Sequence, residues 1–136
     1  MTVVVDTSAL LAVLLGESDA ARFADALVVN AGDLHVGAVT LVEASVVLEA
    51  RAGAAATADL QELLARLSVH VHAVTQTQAD LAIQAWRRFG KGRHPARLNL
   101  GDTFSYALAK ELAGRLLFKG HDFAQTDVAA VLRVVR

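Results

Sequence analysis

Apolar positions along the chain fall into short continuous runs separated by longer stripes of helical period. Val3-Val4-Val5 is an unbroken apolar run that stops at a polar turn, the pattern of a strand buried on both faces. Ser8 to Leu15 predicts a short helix ending at Gly16, and Asp19 to Val29 a second one. Leu34-His35-Val36 predicts a short strand, Val39 to Ala52 a helix ending at Gly53, and Ala58 to Leu67 another helix. Val69 to Val74 alternates as a strand does. Thr77 to Phe89 puts Ala79, Ala82, Ile83, Trp86 and Phe89 on one stripe, which assigns Trp86 and Phe89 to the core. Asp102 to Ala113 predicts a helix ending at Gly114, Leu116-Leu117-Phe118 a second buried strand, and Val131 to Val135 a last one. Strands that alternate with helices imply an α/β protein. The expected architecture is a mainly parallel central sheet of four or five strands between helical layers, a three-layer α/β/α fold. No repeat or linker divides the chain, so residues 1–136 are read as a single domain.

Composition narrows the class. The chain has no cysteine, which removes disulfides and thiolate metal sites. No apolar run approaches the ~18 residues of a membrane span. The N-terminal segment meets Asp6 at once and lacks the basic and apolar regions of a secretion signal, so a soluble, cytoplasmic protein is expected. The formal net charge is −1. Nucleic-acid binders are often basic overall, so the distribution of charge matters more here than its sum.

The acids are distributed informatively. In open parallel sheets, ligands bind at the carboxyl ends of the strands. Asp6 ends the first predicted strand, and Asp122 follows the strand at Leu116–Phe118. Asp102 starts the helix that runs back into that strand, and Glu43 lies one turn into the helix after the His35 strand. All four can reach one edge of the sheet. Glu43 shares its helical face with Val39, Thr40, Val46, Val47 and Ala50, and a carboxylate on an apolar stripe is costly without compensation. Asp6 and Asp102 alone read equally well as helix caps, Asp122 as a turn residue and Asp127 as a cap or surface acid. Crowded carboxylates repel one another, and a hard divalent cation relieves that repulsion. Mg²⁺ or Mn²⁺ suits an all-carboxylate set, whereas Zn²⁺ prefers histidine or cysteine.

Lys91, Arg93, His94 and Arg97 form the one dense basic patch, in the loop directly before the Asp102 helix. Such a patch is either a solvated loop or a contact for RNA backbone. His35, His70 and His72 lack metal-ligand spacing and are read as structural. Tyr106, one turn from Asp102, is placed to buttress it. The early helix with Leu10, Leu11, Leu14 and Leu15 is apolar nearly all round, which indicates burial.

Four segments together resemble the PIN domain, and in detail the VapC toxins of VapBC toxin–antitoxin pairs. They are Val3-Val4-Val5-Asp6-Thr7-Ser8-Ala9-Leu10, Glu43 within its apolar helix, Gly101-Asp102-Thr103-Phe104-Ser105-Tyr106-Ala107-Leu108-Ala109, and Leu117-Phe118-Lys119-Gly120-His121-Asp122-Phe123. The resemblance covers essentially the whole chain. It implies a Mg²⁺-dependent endoribonuclease, with Mn²⁺ as substitute, usually dimeric and held inactive by a VapB antitoxin. It implies metal ligands at Asp6 and Asp102, a helix acid at Glu43 and a fourth acid at Asp122, with Asp127 a further candidate. It also suggests that Thr7 or Ser8 holds a metal-bound water. Two alternatives remain open: a PIN-like module that binds RNA or protein without cutting, and a phosphatase of the haloacid-dehalogenase type. The phosphatase needs a second Asp two residues after the first, where this chain has Ser8.

Overall fold

The computed structural model describes residues 1–134. Four parallel strands form its sheet: β1 (Val3–Val5), β2 (Leu34–Gly37), β3 (His70–His72) and β4 (Arg115–Leu117), in the spatial order β3-β2-β1-β4. The helices are α1 (Thr7–Leu14), α2 (Ala20–Val29), α3 (Ala38–Ala52), α4 (Ala54–Arg66), α5 (Gln76–Phe89) and α6 (Leu100–Glu111). The continuous apolar run of β1 has the expected cause, since the strand is central and buried on both faces. Val3 and Val5 pack with α1 to α4, whereas Val4 packs with Phe89, Tyr106 and Leu108 on the α5–α6 side. Two apolar cores on opposite faces of one sheet make the three layers that the alternation of elements predicts.

Several boundaries differ from the sequence reading. Helix α4 begins at Ala54, four residues before Ala58, because Gly53, at φ 84°, turns the chain directly into it. Helix α6 begins at Leu100 with Asn99 as its N-cap, so Asp102 lies inside the first turn. Among the described residues no final strand forms from Val131. Ala130 instead makes an isolated parallel bridge with Leu116, and Val135 lies outside the described residues. A single 3-10 turn, Phe123–Gln125, follows β4 and anchors Phe123 against Phe118. No described helix is long and apolar enough to cross a membrane.

Two side-chain placements are corrected. The buried stripe of α3 is Thr40, Ala44 and Leu48, so Glu43 lies on its flank, and Val42 and Val46 face outward. Phe89 is buried in the second core, but Trp86 is 44% exposed, with the Arg93 guanidinium 4.3 Å from its ring centroid. Leu10 is fully buried, and Leu11, Leu14 and Leu15 pack against the first core.

Candidate active site

Asp6 leaves the carboxyl end of β1 and caps α1. It is 3% exposed and has no ion-pair partner among the described residues. Burial without a counter-ion demands hydrogen bonds, and Asp6 has three. The Ser8 backbone N–H (3.0 Å) and the Ser8 hydroxyl (2.7 Å) donate to Oδ2, and the Ser105 hydroxyl (2.6 Å) donates to Oδ1. Ser8 Oγ in turn accepts from the Lys119 N–H at 3.0 Å. The Thr7 hydroxyl donates to Glu43 Oε1. Both hydroxyls after Asp6 therefore serve carboxylates directly.

Glu43 owes its place to a residue that the sequence reading passed over. A Cβ built on Gly101 would fall 2.3 Å from Glu43 Oε2, so the α3 carboxylate lies against the bare backbone of the first turn of α6. Little in the sequence warned of this, because the helix expected from it begins at Asp102, whereas α6 begins at Leu100 and takes Gly101 into its first turn, where glycine is unfavourable unless packing requires it.

Asp102 is the third residue of α6 and forms a capping box with Asn99. Its Oδ2 accepts from the Asn99 N–H, and its own N–H donates to Asn99 Oδ1, both at 3.0 Å. The Asp102 carboxyl is pushed up to about 7. Burial is the main cause, the Asn99 hydrogen bond opposes it, and the charges of Asp6, Glu43 and Asp122 push it further. These three carboxylates are therefore close enough for Asp102 to sense them. Asp122, exposed at the start of the 3-10 turn, completes the set at the sheet's carboxyl edge. Among the described residues none of the four acids forms an ion pair. Lys119, whose backbone N–H reaches Ser8, commits its Nζ to Glu17 (2.9 Å) and Asp19 (3.0 Å).

Asp127 does not join them. It accepts from the Tyr106 hydroxyl and pairs with Lys110 (3.2 Å) and Arg88 (3.6 Å) on the α5–α6 face. Tyr106 accordingly buttresses Asp127 and not Asp102. The basic loop is closed by a bridge between Gly90 and Leu98. Lys91, Arg93 and Arg97 are exposed, and His94 is half-buried. His94 Nδ1 accepts from the Ala96 N–H, and the ring meets Phe89 edge-on, so this histidine shapes the loop.

The donor set suits a hard cation. It is all oxygen and negatively charged, with no histidine or cysteine among the four acids. Among the described residues no three acidic or histidine side chains converge on one point as they stand. Mg²⁺ commonly keeps several waters and takes only one or two carboxylates directly, so a spread set of four fits it better than it fits a dehydrated ion. Asp6, buried, and Asp102, half-buried in the first turn of α6, are the residues that would hold such an ion, with Glu43 and Asp122 within reach of its waters.

The chain is thus an α/β protein with a parallel sheet and an acidic carboxyl edge. A family model for the PIN domain matches residues 3–129. Ribonuclease VapC30 of Mycobacterium tuberculosis is 47% identical over 129 residues, covering 94% of this chain and 97% of that protein. Ribonuclease VapC of Mycolicibacterium smegmatis is 47% identical over 128 residues, covering 94% and 98%. Among solved structures, VapC20 of Mycobacterium tuberculosis, described as a sarcin-ricin-loop-cleaving toxin, superposes with a TM-score of 0.76 at 24% identity over 96% of this chain and 98% of its own. A toxin–antitoxin complex from Klebsiella pneumoniae superposes with a TM-score of 0.74 at 16% identity, covering 98% and 100%. The chain belongs to the PIN-domain family, in its VapC branch.

Proposed function

We propose that this protein is a Mg²⁺-dependent endoribonuclease toxin of a type II toxin–antitoxin pair, acting in the cytoplasm and restrained by a VapB-type antitoxin. One observation carries the metal-dependent reading. The Asp102 carboxyl is raised to about 7 by burial and three neighbouring acids, with no cation among the described residues to offset them. A site short of positive charge by this much is built for a cation that arrives from solution. Bound there, Mg²⁺ or Mn²⁺ would supply Lewis acidity toward a phosphodiester and its attacking water. Asp6 and Asp102 hold the edge, Thr7 orients Glu43, and Glu43 with Asp122 can accept a proton or fix a water on the substrate side. Lys91, Arg93 and Arg97 flank the start of α6 and suit contacts to RNA phosphates. The ribonuclease and toxin assignment draws on the relatives' names, and the antitoxin on the Klebsiella complex.

The same reading includes a homodimer. An apolar groove of about 610 Å³ lies along α5 and α6, lined by Ala79, Ile83, Trp86, Leu100 and Phe104, and its Leu100 is 76% exposed. A surface of that kind suits a second copy of the chain.

The test is RNA cleavage by Asp6→Asn and Asp102→Asn across a Mg²⁺ titration. Loss of Mg²⁺-dependent cleavage by at least a hundredfold in both is expected, a few kcal/mol of lost charge stabilisation. Full activity in either variant overturns the reading.

A further inference from the structure

The hydrogen bonds to Asp6 leave an asymmetry between its two oxygens. In its carboxylate form each oxygen offers two in-plane acceptor directions. Oδ2 accepts from both the backbone N–H and the hydroxyl of Ser8, so both of its directions are filled. Among the described residues Oδ1 accepts from Ser105 Oγ alone, at 2.6 Å, so one of its directions carries no hydrogen bond. Ser105 has a single hydroxyl proton, and it is committed to Asp6. Thr40 Oγ1, 3.2 Å from Ser105 Oγ, must therefore be the donor to Ser105. Thr40 and Ser105 are both buried, and no buried side-chain polar atom among the described residues lacks a partner. The result is a directed chain, Thr40 to Ser105 to Asp6 Oδ1, that joins α3 and α6 to the end of β1. A hydrogen bond to a charged acceptor is stronger than a neutral one, and a donor that itself accepts is polarised further.

We infer that Ser105, supported by Thr40, is a positioning residue that fixes Asp6 Oδ1 with one acceptor direction free, so that Asp6 meets a divalent cation through that single oxygen. This rests on the metal-dependent reading of the site. Neither hydroxyl touches substrate. Their work is to prevent the carboxylate from rotating, which would otherwise exchange a filled oxygen for the open one.

Mn²⁺ binding by calorimetry tests this on the purified protein, alongside melting temperature and the Mg²⁺ concentration for half-maximal RNA cleavage. Ser105→Ala is expected to weaken Mn²⁺ binding about tenfold, the loss of roughly one charge-assisted hydrogen bond. The Mg²⁺ requirement should rise by a similar factor. Thr40→Val, nearly isosteric, should weaken binding about threefold, and Thr40→Ser should restore wild-type affinity. That rescue separates orientation from packing, because Val fills the site better than Ser does. Wild-type affinity in both Ser105→Ala and Thr40→Val overturns the inference while leaving the functional reading intact. A wild-type protein that neither binds Mn²⁺ nor cleaves RNA overturns both. If Ser105→Ala does not fold, the Thr40→Val and Thr40→Ser pair decides alone, with equal affinities counting against the relay.

Discussion

At the scale of single residues, Gly101 and Asp102 show stability and chemistry pulling in opposite directions. Alanine is the better helix former by ~1 kcal/mol, yet a methyl group at Gly101 displaces the Glu43 carboxylate, whose flexible end can yield. Gly101→Ala should therefore melt within about 1 kcal/mol of wild type, on the stable side. It should lose roughly a hundredfold in cleavage rate, as expected for an active-site group moved by about 1 Å. A fully active Gly101→Ala variant would show that Glu43 is dispensable. Asp102 has its folded pKa raised, to about 7, above the ordinary 3.8. Between these values the folded state holds a proton that the unfolded chain has released. Stability from this group therefore declines as pH rises from about 4 to 7, and the penalty is complete at pH 8. Without added metal, Asp102→Asn should be more stable than wild type at pH 8 by ~1–2 kcal/mol, discounted for partial exposure, and no more stable at pH 4. Thermal unfolding in chelator at the two pH values checks this. Among the acids, the four that gather were visible from their places after strands and in helix starts. Asp127 stayed open between a further candidate and a surface acid, because nearness in sequence to Asp122 says nothing about which face of α6 a loop returns to; its partners are Tyr106, Lys110 and Arg88.

At the scale of elements, the helices and strands were legible from period, and the faces they share were not. His35, His70 and His72 have no ligand-like spacing along the chain. Parallel pairing puts His35 opposite His70 and His72 two pairs further along, opposite Gly37, so three imidazoles stand on one face at the sheet's edge. His35 Nδ1 and His72 Nε2 are 2.8 Å apart, and the His35 and His70 rings stack at 5.3 Å. Register is a tertiary fact, and no periodicity within one strand reveals it. Burial first, then His72 and His70, lower the His35 pKa, and Asp33 works weakly against them. The unfolded chain then binds more protons in the acid range. The contribution of His35 is present above the unfolded value of about 6.5 and is lost as pH falls below it. The melting temperature should fall between pH 7 and 5, and His72→Gln should flatten that fall. An unchanged slope in the variant would clear the cluster of any part in it. Helix α3 teaches the same lesson. Its apolar residues run round most of the helix, so its sequence could not say that Thr40, Ala44 and Leu48 face inward while Val42 and Val46 face out.

At the scale of the whole molecule, alternation of elements sufficed for the three layers, because parallel strands must be covered on both faces. It did not reveal the groove on α5 and α6, since a half-exposed Trp86 and a buried Phe89 lie on the same helical stripe. If that groove takes a second copy, Ile83→Glu should shift sedimentation equilibrium toward the monomer while the melting temperature at low concentration stays close to wild type. A variant that dimerises as wild type does would place the contact elsewhere.

The donors around Asp6 also bear on how the protein is made. The residue emerges early from the ribosome, but Ser105 lies 99 positions after it, and Lys119, whose backbone N–H braces Ser8, lies 111 positions after Ser8. Until those segments have cleared the exit tunnel, the first acid has neither its brace nor its neighbours at the sheet edge. Synthesis itself therefore acts as a safety catch: a nascent chain lacks the assembled acidic edge until its last helix and strand are in place.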